Sequence, residues 1–187
     1  MKCEGSVAST IDFIVCLVGL GVFSQHIWAL RGHFASDRMT RGAQAISAGA
    51  LGSCFMMLWL VWSEAQPAGA QVAGIAIMLG SLWLFWAAIK ASREAKLRFA
   101  FDDAPPVSLV TIGPYRRIRH PFYASYLIFW SGWAIATWSP WAVLPVIVMT
   151  TLYTIAARYE ETLLSRTAMG PAYAEYRDQV GLFWPKF

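Results

Sequence analysis

Apolar residues in this chain fall into long unbroken runs, and polar residues collect in the gaps between them. A helix that crosses a membrane needs about 20 mostly apolar residues. The run 13–30 meets that requirement, with His26 as its one ionisable interruption, and the run 43–63 meets it with no charge at all. The run 70–89 is the third. Two shorter runs, 122–138 and 141–157, are separated only by Ser139 and Pro140, which predicts a helical hairpin. The pattern therefore predicts an all-α integral membrane protein of about five transmembrane helices in one domain, spanning 1–187. Its last two helices form the hairpin, whether or not they reach fully across.

Composition agrees. The chain of 187 residues is 57% hydrophobic and 14% charged, outside the usual soluble range. Charge placement then gives orientation. The 31–42 loop, the 90–121 segment and everything after Ala157 hold fourteen of the fifteen Lys and Arg, leaving only Lys2 elsewhere. By the positive-inside rule those segments are cytoplasmic and the N-terminus lies opposite. A hairpin returns to the side it left, so this holds even if it does not span. The net charge of +4 follows from that topology and the anionic inner leaflet, and it does not argue for nucleic acid.

Other features have structural readings. One lysine and one glutamate precede the first run, with no small-x-small site near its end, so it reads as a retained helix. Cys3, Cys16 and Cys54 are isolated and indicate packing, not a disulfide or a metal site. Ala45, Gly49 and Ser53 make a small face for close helix approach. Trp28, Trp59, Trp62, Trp138, Trp141 and Trp184 sit near segment ends as interfacial anchors. His26 lies about a turn from the cytoplasmic end of its run. An ionisable group inside a membrane is a functional candidate by default, yet nothing in the sequence links it to the polar blocks. Asp12 is placed at the opposite interface.

Two polar blocks, 102–123 and 158–187, flank the hairpin, which brings them together at its base. In the first, residues 90–101 extend the third helix, 102–106 end it, 107–112 run extended, and Gly113-Pro114 turns the chain. Pro121 starts a helix, because its first position needs no donor. Arg119 and His120 are then held at its mouth, where free backbone N–H groups favour a carboxylate or phosphate. Tyr115 and Tyr123 can stack on a flat ring. In the second block the fifth helix continues to Met169, Gly170-Pro171 breaks it, and a short helix carries Tyr173 and Tyr176. Glu160 and Glu161 offer a carboxylate for an ammonium group or for an arginine of the first block. Anion donors, a carboxylate and tyrosines together suit an amino-acid–nucleoside, of which S-adenosylmethionine is one.

The order Leu109-Val110-Thr111, GPYRRIRHPFY over 113–123, Arg158-x-Glu160-Glu161, Gly170-x-x-Tyr173-x-x-Tyr176 and Trp184-Pro185-Lys186 resembles the isoprenylcysteine carboxyl methyltransferase and phospholipid methyltransferase group. The likeness is to its short five-helix prokaryotic members and covers about 107–187. It implies an S-adenosylmethionine-dependent enzyme of the bacterial or archaeal cytoplasmic membrane. The expected cofactor-binding set is Ser108, Leu109, Val110, Tyr115, His120, Pro121, Phe122, Tyr123 and a glutamate of the Glu160–Glu161 pair. Arg158, with Glu161 and Arg119, is the expected catalytic set, the arginines orienting an anionic acceptor. No metal is implied. The acceptor is lipid-like or prenylated, of isoprenylcysteine carboxyl type. Phospholipid amines, small thiols or phenols, an NADPH-dependent reductase and a non-catalytic protein of the same fold are the alternatives. The sequence departs from the group's pattern in three places. Val107 stands where a histidine is frequent, Ser125 where glycine is frequent, and Gly170 follows the glutamate pair one residue late. One helical residue is about 100°, so either Glu160 or Glu161 can be the one that faces the cofactor.

Overall fold

The computed structural model describes residues 2–32, 39–63, 65–93 and 108–186, with side chains of the first helix from Thr10 to Trp28. Three long helices come first: α1 (Lys2–Gly32), α2 (Arg41–Ser63) and α3 (Ala68–Ser92). The hairpin follows as α4 (Pro121–Thr137) and α5 (Val143–Ser165), joined through a 3-10 turn at Pro140–Ala142. A short α6 (Gly170–Gln179) closes the order. The described residues form no strand, only an isolated parallel bridge between Ile118 and Gly181. This is an all-α integral membrane fold.

Among the described residues, four stretches are long and apolar enough to cross a bilayer: Thr10–Trp28, Arg41–Ser63, Ala68–Ser92 and Pro140–Ser165. α4 has 17 residues, a rise of about 25 Å at ~1.5 Å per residue, against a hydrocarbon core of about 30 Å. It is the inner element of the bundle. Ala124, Phe129, Trp130 and Trp133 on it are all buried, and it packs most extensively on α3. That approach is close because two glycines meet there. A Cβ on Gly74 would collide with the Gly132 carbonyl and with Ala136, and a Cβ on Gly132 would lie 3.0 Å from the Gly74 carbonyl. With lipid outside and no hydrophobic drive between helices, such backbone proximity is a main source of packing energy.

The small face expected on α2 meets α5. A Cβ on Gly49 would sit 2.8 Å from Leu152, and Ser53 is buried, although Ala45 is exposed. Trp28, Trp59, Trp62, Trp138, Trp141 and Trp184 are all exposed, as anchors at a lipid interface must be. Trp138 ends α4 in the left-handed region, φ 48°, where its N–H reaches the carbonyls of Ala134 and Ile135. At the end of the bundle away from the polar blocks, Asp12 of α1 accepts a 2.5 Å hydrogen bond from Gln71 of α3. Asp12 is thus tied to a neighbouring helix. Cys16 and Cys54 are free and buried.

Two boundaries differ from expectation. α5 stops at Ser165, short of Met169, because Arg166 and Thr167 close with bonds to the carbonyls of Leu163 and Leu164. Gly170-Pro171 does not separate two helices. It opens α6, with proline in the first turn. The expected extension of the third helix is seen only to Arg93; the rest of it, the 102–106 terminator and Val107 lie outside the described residues.

Candidate active site

Gly113 adopts φ +59°, a conformation that costs glycine little and other residues more. Its turn, with the 3-10 segment Gly113–Arg116 behind it, swings Tyr115 inwards against α3. Tyr115, Phe122 and Val110 pack with Phe85, Ala88 and Ile89 of α3 in one buried cluster. This half of the motif therefore belongs to the α3 side. A groove of about 530 Å³ opens beside it, lined by Trp86, Ile89, Lys90, Ala91, Arg93 and Ile112. Ser108 is exposed and Leu109 half-buried. Neither shares a hydrogen bond with the glutamate pair.

The other half faces α5. Pro121 begins α4 with His120 as its cap residue. The cap works through the backbone: the His120 carbonyl accepts from the Ala124 N–H at 3.0 Å, and its imidazole makes no cap bond. That ring is free to turn to the glutamates. Its Nδ1 lies 3.5 Å from Glu160 Oε2 and its Nε2 3.6 Å from Glu161 Oε1. These are ion-pair distances longer than hydrogen bonds, and Nε2 is buried with no hydrogen-bond partner. Burial disfavours a charged imidazole, but the two carboxylates outweigh it and raise the His120 pKa above its ordinary value.

The two glutamates have different surroundings. Glu161 is 6% exposed. It accepts from Arg119 Nε at 2.7 Å, Arg158 Nη1 at 2.9 Å and the Tyr173 hydroxyl at 3.0 Å. Glu160 is 30% exposed and accepts from the Tyr123 hydroxyl at 2.5 Å. Glu161 is thus a saturated structural node, whereas Glu160 is the more exposed of the two. Burial, then the Glu161 charge, raises the Tyr173 phenol well above the ordinary tyrosine value, so it stays protonated and donating.

Arg119 ties the two blocks. Besides Glu161 it donates from Nη1 to the carbonyls of Arg177 and Val180, and its backbone N–H bonds the Gly181 carbonyl at 2.8 Å. The His120 N–H bonds the Leu182 carbonyl at 3.1 Å. Phe183 then lays its ring edge-on to those of His120 and Tyr123, with centroids 6.4 Å away in each case. Tyr176 donates to the Tyr115 carbonyl at 2.6 Å, and burial pushes its phenol up to about 12. Arg158 is different: its side chain is 61% exposed despite the Glu161 contact.

The convergence expected of the two blocks is present for Arg119, His120, Tyr123, Arg158, Glu160 and Glu161. It is absent for Ser108 and Leu109, while Val110, Tyr115 and Phe122 face α3 and Pro121 is buried at the start of α4. Sequence reasoning left out Phe183, Tyr126 and Tyr153. The phenols of the last two sit among apolar residues, and that polar intrusion was the available signal.

Fold and site together define an integral membrane protein whose polar cluster is built where a helical hairpin meets the segment after it. Residues 70–167 match the family model described as phospholipid methyltransferase. The match covers more than half of the chain, which belongs to that family: it is a membrane methyltransferase for lipid-like substrates. Comparison with curated proteins gives no match.

Proposed function

We propose that the protein transfers a methyl group from S-adenosylmethionine to a membrane-partitioned acceptor, at a site on the cytoplasmic face. The observation that carries this reading is the contrast between Glu160 and Glu161. One carboxylate is consumed by Arg119, Arg158 and Tyr173. The other stays half-exposed beside an imidazole whose Nε2 has no hydrogen-bond partner. A carboxylate with room for a ligand suits an ammonium or ribose hydroxyl, and an imidazole nitrogen without a hydrogen bond can donate to a carboxylate. Both features fit the ends of this methyl donor.

When bound, the donor supplies a methyl group already activated on a sulfonium sulfur. The chain's part is to hold, align and dry the site. Glu160, Tyr123 and His120 would hold the donor at the start of α4. On the α3 side Val110, Tyr115 and Phe122 would support the same loop, with Ser108 and Leu109 at its rim. Phe183 closes over His120 and Tyr123 and keeps water out. Arg158, the most exposed of the polar groups, is the one available to an acceptor that arrives from outside.

The motif resemblance points to an isoprenylcysteine carboxyl acceptor. The family match supports a second reading, an amine-bearing phospholipid. Calorimetric titration of the purified protein with S-adenosylmethionine, and in parallel with NADPH, tests the shared part. Binding of the first and not the second is expected. Binding of NADPH alone, or of neither, overturns it.

A further inference from the structure

The end of α3 carries a groove for which the donor side has no use. It has a volume of about 530 Å³, within the range of about 300–1,000 Å³ that ligand pockets occupy. None of Tyr123, His120 and Glu160 lines it. Trp86 and Ile112 form its apolar wall and are left 40% and 62% exposed. Lys90 and Arg93 stand beside them, both exposed. Three residues apart on one helix, they share a face. Among the described residues neither cation has an ion-pair partner, since the glutamates pair with Arg119, His120 and Arg158.

Membrane topology accounts for cations at a helix end. It does not account for large apolar side chains left uncovered around them in a concave surface. Trp86 packs against Trp28 of α1 with ring centroids 5.8 Å apart, and such tryptophans mark the bilayer interface. The groove therefore lies where α3 leaves the hydrocarbon. A soluble anion would neutralise Lys90 and Arg93 and leave Trp86 and Ile112 wet. A zwitterionic lipid would cover the apolar wall but bring its own cation to two others. An anionic lipid does both tasks, and the bilayer delivers it. A guanidinium fork holds two phosphate oxygens at once, and a lysine adds a point charge. Basic pockets at membrane helices take anionic head groups in this way.

We propose that this groove binds the phosphodiester of an anionic phospholipid, with Lys90 and Arg93 on the phosphate oxygens and the acyl end against Trp86 and Ile112. The lipid is held there as a ligand and not as a methyl acceptor. Its place gives it a bearing on the donor side. Ile112 immediately precedes the Gly113 turn, and its carbonyl accepts from the Tyr115 N–H at 3.2 Å. A lipid resting on Ile112 braces the loop that sets Tyr115 against α3.

The test is native mass spectrometry of the full chain in detergent micelles, with phosphatidylglycerol, phosphatidylcholine or inorganic phosphate added in separate arms. Phosphatidylglycerol is expected to bind at least tenfold more tightly than phosphatidylcholine, and inorganic phosphate not to be retained. Lys90→Gln combined with Arg93→Gln should weaken phosphatidylglycerol binding at least tenfold. Arg116→Gln combined with Arg117→Gln removes two exposed cations outside the groove and should leave that binding close to native. Should the first pair fail to fold, Ile112→Glu places a carboxylate on the exposed rim and should give the same loss. Equal affinity for the two lipids overturns the proposal. Equal loss from both arginine-containing pairs does so too, because the attraction would then belong to the whole charged face. Inorganic phosphate bound as tightly as phosphatidylglycerol would overturn the lipid as occupant. None of these outcomes depends on methyl transfer.

Discussion

Arg119 Nε and Glu161 Oε1 stand 2.7 Å apart across the base of the hairpin, with side chains 8% and 6% exposed. Removing one partner of a buried pair strands the other charge and costs about 3–5 kcal/mol. Arg119→Ala and Glu161→Ala should both lower unfolding stability by about that amount, read from denaturation in detergent micelles. Arg119→Lys should recover only part. A single ammonium cannot reach Glu161 and the carbonyls of Arg177 and Val180 together as a guanidinium fork does. Unchanged stability in all three would mean that the pair is not a structural node.

Glu160 should behave in the opposite way. It is half-exposed, accepts a hydrogen bond from Tyr123 and has His120 Nδ1 3.5 Å away. Glu160→Ala should leave the melting temperature close to native while weakening S-adenosylmethionine binding at least tenfold, about 1.4 kcal/mol. Tyr123→Phe should act in the same direction and more weakly. Calorimetry alongside thermal melts separates the two glutamates. If Glu161→Ala weakens donor binding without loss of stability, the assignment of roles is reversed.

His120 predicts a pH dependence. The neighbouring glutamates raise its folded-state pKa above the ordinary value, against burial. The native state then binds more protons than the unfolded state between the two values, so stability falls as pH rises through that window. The contribution is complete below about 6.5 and is lost above the raised value. Melting temperature measured from pH 6 upwards should decline in the native protein. His120→Gln should flatten that decline. A native profile that is flat or rises over the same interval would contradict it.

Gly113 tests how the first block is aimed. A side chain there is strained at φ +59°, and its Cβ would lie 2.9 Å from that of Ala91. Gly113→Ala should cost about 1–2 kcal/mol from the left-handed conformation alone, and more through the contact. Because the turn sets Tyr115 against α3, donor affinity should fall with stability. Substitution at Gly80, where an added Cβ meets nothing, should do neither.

The membrane helices and the hairpin were legible because long apolar runs and a Ser139-Pro140 break leave few other solutions in a bilayer. The meeting of the polar blocks followed from the hairpin alone. Which glutamate does what was not legible. Glu160 and Glu161 are adjacent, and the choice between a saturated and a half-exposed carboxylate depends on where Arg119 and Tyr173 arrive from 42 and 12 residues away. Nor could sequence show that Tyr115 and Phe122 turn to α3 while Tyr123 turns to α5. The Gly74–Gly132 crossing was hidden too, since a helical glycine declares its purpose only when its neighbour is known.

The segment after α6 gives the last prediction. Residues 181–183 lie along 119–120 through two backbone hydrogen bonds, and Phe183 covers the rings of His120 and Tyr123. A Cβ on Gly181 would collide with the Trp184 carbonyl, so Gly181→Ala should push this strap off its partner. Two amide hydrogens, those of Arg119 and His120, lose their acceptors when that happens. Hydrogen exchange should therefore accelerate at these two positions in Gly181→Ala, with little change in the middle of α2. Phe183→Ala separates cover from anchoring. It removes the ring and keeps the backbone bonds, so exchange at Arg119 and His120 should stay slow while donor binding weakens. Equal exchange in the native protein and Gly181→Ala would mean that the strap does not hold the site closed.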